Sequence, residues 1–262
     1  MSHVSVRHVW KEYPNQVVLE RVNLEIPSGE FCALVGPSGC GKTTFLRMLL
    51  SQDKPTRGDI LIDGEPIASE PGPDRGVVFQ RYSVFPHLTV LENVMLGREL
   101  AGSPLLGRLF GTARRKVADE AAELIAAVGL GHARDKYPAE LSGGMQQRLA
   151  IAQTLIVKPK ILLLDEPFGA LDPGTKAQMY ELLTDLWRRQ RMTVFMVTHD
   201  LKEGFTLGTR VLAFDKVRHD PHEPGAYGAT ITLNLPLDDK AVRAEVVAPL
   251  PRTAVTAEDD NE

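Results

Sequence analysis

Several features that mark particular classes of protein are scarce in this chain of 262 residues. It has only two cysteines, Cys32 and Cys40, without a CxxC spacing or a neighbouring histidine run, which argues against a disulfide framework and a zinc site. No stretch of about 20 residues is apolar enough to cross a bilayer. The first residues also lack the basic region and apolar run of a secretory signal. We therefore expect any role at a membrane to come through a partner.

An excess of positive charge is also lacking. The formal net charge is -4 and the pI is near 6.0, so no overall basic field attracts the chain to nucleic acid or to anionic lipid. With 43% hydrophobic and 24% charged residues, the chain is long enough to build one large domain around a substantial core. We expect a single domain over residues 1–262 and no nucleic-acid partner.

Short apolar runs bounded by turn residues dominate the pattern. Such runs are typical of strands buried on both faces of a mostly parallel sheet, and helix-like stretches lie between them. The alternation predicts an α/β fold with a doubly wound core. The runs lie at residues 31–36, 76–79, 161–167, 193–199 and 210–214.

The middle of the chain departs from that alternation. Residues 86–154 contain no clear strand and are rich in helix signals. We therefore predict a helical subdomain there, inserted between core segments 1–85 and 155–215. Within it, the polar stretch 97–116 is predicted to be a loop or short insertion.

The end of the chain is predicted to form a C-terminal extension over residues 216–251. A strand pair around residues 229–237 supplies a small antiparallel portion. Residues 252–262 are polar and acidic and are predicted to be disordered.

The strongest local signal is GPSGCGKTT, which matches the phosphate-binding pattern G-x-x-x-x-G-K-[ST] between a predicted strand and a predicted helix. Glycines let backbone N–H groups turn toward phosphate oxygens, and the helix start and Lys42 add positive charge. Thr43 can offer its hydroxyl to a phosphate-bound Mg²⁺. The alternative is a glycine-rich turn with a surface lysine. The predicted nucleotide-binding residues are Gly36, Pro37, Ser38, Gly39, Cys40, Gly41, Lys42, Thr43 and Thr44.

Two adjacent carboxylates end the buried run ILLLDEP. Asp165 is placed to hold Mg²⁺ from the side opposite Thr43, and Glu166 to polarise a water for attack on the γ-phosphate. An ordinary strand ending in a solvated acidic turn is plausible alone, but it is a poor alternative beside a phosphate loop. We predict that Glu166 and Lys42 are catalytic and that Thr43 and Asp165 bind the metal.

Polar residues also follow other predicted strands. Gly36, Gln80, Asp165 and His199 each stand near the end of one apolar run, and ligands of open α/β sheets bind at that carboxyl edge. A lone histidine after an apolar run is more often structural than catalytic. Within this group, His199 can instead donate to the γ-phosphate.

A second anion-binding element is predicted in LSGGMQQR. Ser142 is placed as the N-cap of a helix, and Gly143 and Gly144 leave the backbone N–H groups at the helix start uncovered. From the capping signal alone, a capped helix with a flexible entry is the simpler interpretation.

Taken in order, these motifs resemble the nucleotide-binding subunit of ABC transporters over roughly the first 215 residues. The signature LSGGQ is matched from Leu141 to Gly144, and Met145 replaces the glutamine, a frequent variant among importers. The resemblance implies a P-loop NTPase fold, ATP and Mg²⁺ as cofactors, and ATP hydrolysis coupled to transport.

The resemblance also implies roles for residues that their own surroundings leave unassigned. Tyr13 resembles the aromatic residue that stacks on adenine, although a tyrosine before a proline can equally be a turn residue. Gln80 resembles the Q-loop glutamine, which meets Mg²⁺ and the attacking water. Asp172 resembles the D-loop aspartate that crosses to the opposite subunit, and His199 resembles the switch histidine.

In that family two subunits pack head to tail, so each ATP would lie between the phosphate loop of one chain and Ser142 to Gly144 of the other. The resemblance further implies an integral membrane permease, a solute-binding protein acting indirectly, and a peripheral location on the cytoplasmic face of the membrane. Apolar residues after Gln80 suggest a docking surface for the permease, with partial burial against the helical subdomain as the alternative. They are Tyr82, Val84, Phe85, Pro86 and Leu88.

The sequence as a whole is most similar to the importer branch that serves nitrate, sulfonate, taurine and related small solutes. The stretch 206–221 resembles subunits that serve nitrogen compounds such as urea or guanidine. Two other functions stay open: a soluble ABC-type ATPase that does not transport, and a P-loop kinase acting on a small metabolite. Long heptads or a duplicated ATPase half would favour the first, and neither is present.

Overall fold

The computed structural model describes residues 2–79, 83–103, 107–169, 171–223 and 225–237. The predicted tail 252–262 lies outside the described residues, as do residues 238–251 of the predicted extension 216–251, Gln80 and Tyr82. None of the helices described is both long and apolar enough to cross a membrane.

A six-stranded sheet forms the centre of the fold, in the order β10-β9-β3-β8-β7-β6. Its strands pair in parallel except for β10, which runs antiparallel to β9 at one edge. This arrangement confirms the mostly parallel sheet that the short apolar runs predicted. The strands are β3 (Phe31–Val35), β6 (Arg75–Val78), β7 (Ile161–Asp165), β8 (Thr193–Val197), β9 (Arg210–Asp215) and β10 (Thr230–Pro236).

A second, antiparallel sheet has the order β2-β1-β4-β5. Its strands are β1 (Val4–Tyr13), β2 (Gln16–Ile26), β4 (Arg57–Ile62) and the two-residue β5 (Glu65–Pro66). The antiparallel portion of the fold is therefore confirmed, but most of it lies near the start of the chain. The strand pair predicted around residues 229–237 is wrong in detail, because this stretch forms the single strand β10 and pairs with β9.

Three α-helices lie in the described part of the chain between β6 and β7, where helices were predicted. The stretch 97–116 is not a loop as a whole, since α2 continues to Gly102 and α3 begins at Gly111. A capping box at Thr89 and Glu92 starts α2. The α-helices of the described residues are α1 (Lys42–Leu49), α2 (Val90–Gly102), α3 (Gly111–Ala127), α4 (Gly143–Leu155), α5 (Pro173–Gln190) and α6 (Leu201–Leu207). The subdomain boundaries 86 and 154 stay a prediction.

Side chains of the central sheet alternate between two apolar cores. In β7, Leu162 and Leu164 pack against the helices of the middle segment and α5, whereas Ile161 and Leu163 pack with α1 and the antiparallel sheet. All four side chains are fully buried. Because both faces of the central sheet are covered, its strands consist of continuous apolar runs in the sequence. Polar residues are tolerated mainly at the ends of these strands.

The end of the described chain closes the seam between the two sheets. Val17 N and Glu20 N on β2 donate to the carbonyls of Gly225 and Ala229, at 2.8 Å each, and β10 then pairs with β9 of the central sheet. Gly228 allows this approach, since a Cβ there would lie 2.8 Å from the carbonyl carbon of Leu19. The hairpin formed by β1 and β2 is thereby fixed to the central sheet.

Candidate active site

The loop between β3 and α1 wraps around the ammonium group of Lys42. This side chain is only 6% exposed, and its Nζ donates to the carbonyls of Gly36 at 2.7 Å and Pro37 at 2.8 Å. Burying an ammonium among backbone carbonyls is costly unless each proton finds an acceptor. The loop therefore holds a positive charge at a fixed place, as the phosphate-binding interpretation requires.

Glycine is required at two positions of this loop. Gly36 has φ of 143°, and a Cβ there would lie 2.1 Å from the carbonyl oxygen of Phe214. Gly41 has φ of 89°, and its Cβ would lie 2.8 Å from the Leu19 side chain. Both positions combine left-handed backbone with close packing, so larger residues would displace the loop.

The first turn of α1 is open to an anion. Gly41 is the N-cap residue, no side chain caps the helix, and no acidic residue stands in its first turn. The N–H groups at a helix start carry partial positive charge and bind phosphate when no side chain covers them. Thr43 and Thr44 lie within this turn, beside Lys42, as predicted.

Thr43 in the first turn of α1 meets Asp165 at the end of β7. The Thr43 hydroxyl donates to Asp165 Oδ1 at 3.1 Å. Burial raises the pKa of the Asp165 carboxyl above its ordinary value, and the neighbouring Glu166 carboxylate raises it further, while the bond from Thr43 and the positive charge of Arg47 and Lys42 oppose this shift. A hydroxyl and a half-buried carboxylate are hard oxygen donors.

The Thr43 hydroxyl and the Asp165 carboxylate form a pair of hard oxygen donors of the kind that suits Mg²⁺. The described residues contain no group of three or more histidine, cysteine or acidic residues that could hold a metal alone. Mg²⁺ needs no such cage, because it takes one or two protein oxygens and completes its shell with water and phosphate oxygens. Thr43 and Asp165 match that requirement.

The raised pKa of Asp165 predicts a gain in stability when its charge is removed. We expect nucleotide-free Asp165→Asn to unfold about 2 °C above the wild type near neutral pH. A carboxyl whose pKa is raised by folding disfavours the folded state only where it is ionised, so the difference should vanish as the pH falls below about 4. Thermal unfolding followed by circular dichroism over a pH series measures this.

Asp172→Asn is the matched control, because local hydrogen bonds lower the pKa of Asp172 instead. It should show no gain in unfolding temperature. A lower unfolding temperature for Asp165→Asn at neutral pH would contradict the expected cost of burying the ionised Asp165 carboxylate beside Glu166.

Glu166 adopts a backbone conformation that is rare outside glycine, with φ of 47°. Its N–H donates to the carbonyl of Val197 at the end of β8, at 3.0 Å. Its carboxylate lies 3.7 Å from Nδ1 of His199. Such conformations persist at functional sites because the surrounding structure holds them there. The structure thus brings Glu166 and His199 together at the edge where Asp165 and Lys42 also lie.

Tyr13 lies at the tip of the β1–β2 hairpin and is 44% exposed. Its hydroxyl donates to Asp53 Oδ2 at 2.7 Å, and Lys11 Nζ stands 4.8 Å from the ring centroid. The hydrogen bond to Asp53 is the main reason why the pKa of Tyr13 is raised. The sequence analysis did not predict that Asp53 and Lys11 contact Tyr13, because no sequence motif links the three positions. The hairpin reaches the phosphate loop, since Leu19 packs against Gly41.

The LSGGM element starts a helix as predicted. Ser142 is the N-cap of α4, and its hydroxyl accepts from Met145 N at 3.4 Å. Ser142 and Gly143 are exposed. Gly144 approaches the start of α5, where an added Cβ would lie 2.7 Å from the Thr175 side chain. The starts of α4 and α5 therefore lie side by side.

Asp172 is the N-cap of α5, and its carboxylate accepts from Thr175 N at 3.0 Å. This local role is sufficient to explain an aspartate before Pro173. Contact of Asp172 with a second subunit stays a prediction, and Gln80 lies outside the described residues.

A family model for the ABC transporter matches residues 19–169, more than half of the chain. The chain belongs to the ABC transporter family. The match includes the phosphate loop, the LSGGM element and the two carboxylates. As a member of this family, the chain is an ATP-binding subunit, and it binds and hydrolyses ATP.

The similarity to individual relatives in the ABC transporter family extends beyond residues 19–169. The nitrate import ATP-binding protein NrtD of a Synechocystis species is 43% identical over 224 residues, which are 86% of this chain and 78% of that protein. The bicarbonate transport ATP-binding protein CmpC of Synechococcus elongatus is 45% identical over 214 residues, but these are 80% of this chain and only 31% of that protein.

The ABC transporter cassette MJ0796 has a similar structure. Its dimeric form is 31% identical, has a TM-score of 0.71, and covers 90% of this chain and 99% of its own. The same cassette has been solved as a dimer in a post-hydrolysis state with ADP and Pi, at 32% identity and a TM-score of 0.70. These likenesses confirm the α/β cassette fold and support ATP hydrolysis by this ABC transporter subunit.

Proposed function

We propose that two copies of this chain bind two ATP molecules between them and drive the uptake of a small solute through a separate membrane permease. The carrying observation is the exposed start of α4 at Ser142 and Gly143, an anion-binding element for which a second copy would supply the phosphate. The dimeric MJ0796 cassette supports this arrangement. A head-to-tail pair would complete both sites by symmetry.

In this proposal one copy supplies the residues that bind the phosphates, hold the metal ion and activate the water. Lys42 and the N–H groups at the start of α1 hold the β- and γ-phosphates. Thr43, Asp165 and Gln80 would hold Mg²⁺, which would supply positive charge to neutralise the phosphate oxygens. Glu166 orients and polarises the attacking water.

The remaining predicted residues position the nucleotide. His199 donates to the γ-phosphate from its place 3.7 Å from the Glu166 carboxylate. The Tyr13 ring stacks on adenine, while Asp172 contacts the second copy from the start of α5. Ser142, Gly143 and Gly144 of that copy close over the γ-phosphate, so ATP holds the pair together until hydrolysis releases it.

The loop around Phe85 is proposed to receive the permease. Phe85 is 41% exposed, although its backbone is held firmly: N–H donates to Asn93 Oδ1 at 2.8 Å, and Asn93 Nδ2 donates back to its carbonyl at 3.0 Å. Asn93 itself is fully buried at the start of α2. A rigid loop that presents an exposed aromatic side chain is suited to docking a partner.

The solute is proposed to be a small polar molecule of the nitrate, sulfonate or taurine class, or a nitrogen compound such as urea or guanidine. The nitrate and bicarbonate relatives support the choice of a small polar solute, delivered by a solute-binding protein to the permease. In this proposal the chain lies on the cytoplasmic face of the membrane.

Reconstitution with the membrane partner tests the proposal. We expect the complex in vesicles to hydrolyse ATP several-fold faster with one solute of these classes and its binding protein than without. Phe85→Asp should reduce this stimulation about tenfold, because a charge at the docking loop opposes burial in an interface. Phe110→Asp is the control, since Phe110 is 68% exposed elsewhere, at the start of α3.

Phosphate release and solute uptake are both measured in this experiment. Equal loss of stimulation in Phe85→Asp and Phe110→Asp would contradict docking at this loop. Failure to co-purify with any integral membrane protein would favour the ATPase that does not transport, and a phosphorylated metabolite in place of free phosphate would favour the kinase.

A further inference from the structure

A carboxylate outside the proposed nucleotide site is buried beside the turn that carries His199. Glu203, on α6, is 4% exposed and accepts three hydrogen bonds. Lys176 Nζ donates to Oε1 at 3.0 Å, and the Tyr180 hydroxyl donates to the same oxygen at 2.9 Å. The Thr198 hydroxyl donates to Oε2 at 2.6 Å. A buried carboxylate with this many charged and polar donors is held tightly in place.

Thr198 connects this carboxylate to the turn that carries His199. It follows β8 directly and is 1% exposed, and its N–H donates to the carbonyl of Leu34 at 3.1 Å. Its hydroxyl oxygen also accepts from Asp200 N at 3.0 Å. The residues on both sides of His199 are therefore fixed through one hydroxyl group, which Glu203 orients.

The other two donors connect Glu203 to α5. Lys176 and Tyr180 lie in the first two turns of this helix, which begins after the N-cap residue Asp172. The Tyr180 ring also packs edge-on against Phe168, two residues after Glu166, with centroids 5.2 Å apart. Burial raises the pKa of Tyr180, so its hydroxyl stays a donor. One carboxylate thus joins α5 and the turn of His199.

We propose that Glu203 is a positioning residue that holds His199 beside Glu166 and couples this position to α5. In this proposal Glu203 acts on His199 through the Thr198 hydroxyl and not by contact with the nucleotide. The inference rests on the proposed role of His199 at the γ-phosphate. A shift of α5, for example when its start meets a second copy, would reach His199 through the shared carboxylate.

Two substitutions, one at Glu203 and one at Thr198, test whether the hydrogen bond between these side chains positions His199. Glu203→Gln keeps the shape but places an amide among three donors, and Thr198→Val removes the hydroxyl with little change in volume. Each should lower kcat for ATP hydrolysis about tenfold, because His199 is displaced, while KM for ATP changes less than twofold. Thr198→Ser keeps the hydroxyl and should restore kcat to near the wild-type value.

Glu99→Gln is the matched control, since Glu99 is 6% exposed and accepts from Arg114 within the helical segment. It removes a similar charge, and we expect no change in kcat. A spectroscopic readout is added: the NMR signal of the His199 ring, assigned by its loss in His199→Gln, should shift in Glu203→Gln and Thr198→Val but not in Glu99→Gln.

The outcomes separate this inference from the proposed function. If His199→Ala keeps full turnover, the role of His199 is wrong, and the ring signal still decides whether Glu203 positions it. If His199→Ala is inactive but neither Glu203→Gln nor Thr198→Val changes kcat or the ring signal, the inference is wrong. Should Glu203→Gln fail to fold, Thr198→Val and its serine counterpart carry the test.

Discussion

Replacing Glu166 with glutamine should lower the rate of ATP hydrolysis about 10²- to 10³-fold, because glutamine cannot polarise the attacking water. ATP binding should be nearly unchanged, since Lys42 and the start of α1 are untouched. The variant should therefore accumulate as an ATP-bound dimer. Light scattering after size-exclusion chromatography, at saturating ATP and Mg²⁺, measures the dimer, and phosphate release measures turnover.

Glu181→Gln provides the control for this experiment, because Glu181 is exposed on α5. It should hydrolyse ATP like the wild type. A Glu166→Gln chain that stays monomeric with bound ATP would refute the proposed pairing, whereas wild-type turnover would refute the assignment of Glu166. The two results are independent, so each part of the proposal can fail alone.

The second large effect is expected for Lys42→Ala. Removing this ammonium should weaken ATP binding about 100-fold and reduce hydrolysis to background, since charge-assisted contacts to phosphate are among the strongest polar interactions. The loop would change too, because the carbonyls of Gly36 and Pro37 lose their donor. Calorimetric titration with ATP measures the loss.

Lys42→Arg separates charge from geometry. The loop closes around a compact ammonium that is 6% exposed, and a planar guanidinium cannot occupy the same space. We expect this variant to bind ATP as poorly as Lys42→Ala. Lys160→Ala, which removes an exposed lysine, should bind ATP normally. Normal binding by Lys42→Arg would mean that charge alone is sufficient.

The central sheet was predictable because it is buried on both faces. Strands such as β7 and β8 consist of apolar residues with turn residues at their ends, and the polar residues that follow them had to meet at one edge. Asp165 and His199 could therefore be placed near the phosphate loop from the sequence. The distances confirm that Thr43 meets Asp165 and that His199 lies near Glu166.

The antiparallel sheet was harder to predict for a physical reason. The pairing of β1 with β2 shifts register between Val6 and Val9, between Val9 and Lys11, and between Lys11 and Glu12. Each irregularity breaks the two-residue alternation by which a half-buried strand is recognised. The long strand over Val4–Tyr13 thus lost its periodic signal.

The loop predicted over 97–116 was wrong at its two ends, which lie in α2 and α3. Gly97 and Gly102 lower the helix propensity of α2, yet both lie in close contacts. A Cβ at Gly97 would lie 3.0 Å from Val157, and one at Gly102 would lie 3.1 Å from Leu109. Tertiary packing therefore selected glycine where the local pattern indicated a turn. The burial of Glu203 was not predicted either, because no pattern in the neighbouring sequence indicates a buried carboxylate.

Closure of the seam between the two sheets has a consequence for how the chain is made. Gly228 N donates to Glu20 Oε2 across 208 positions, and Ala229 pairs with Leu19 beside the phosphate loop. A ribosome releases β2 long before it releases β10. The contacts that fix the hairpin carrying Tyr13 can therefore form only after residues 225–229 have been synthesised. Contacts between residues so far apart in the sequence form late and slowly during folding. A nascent chain therefore completes its own half of the proposed nucleotide site late in its synthesis.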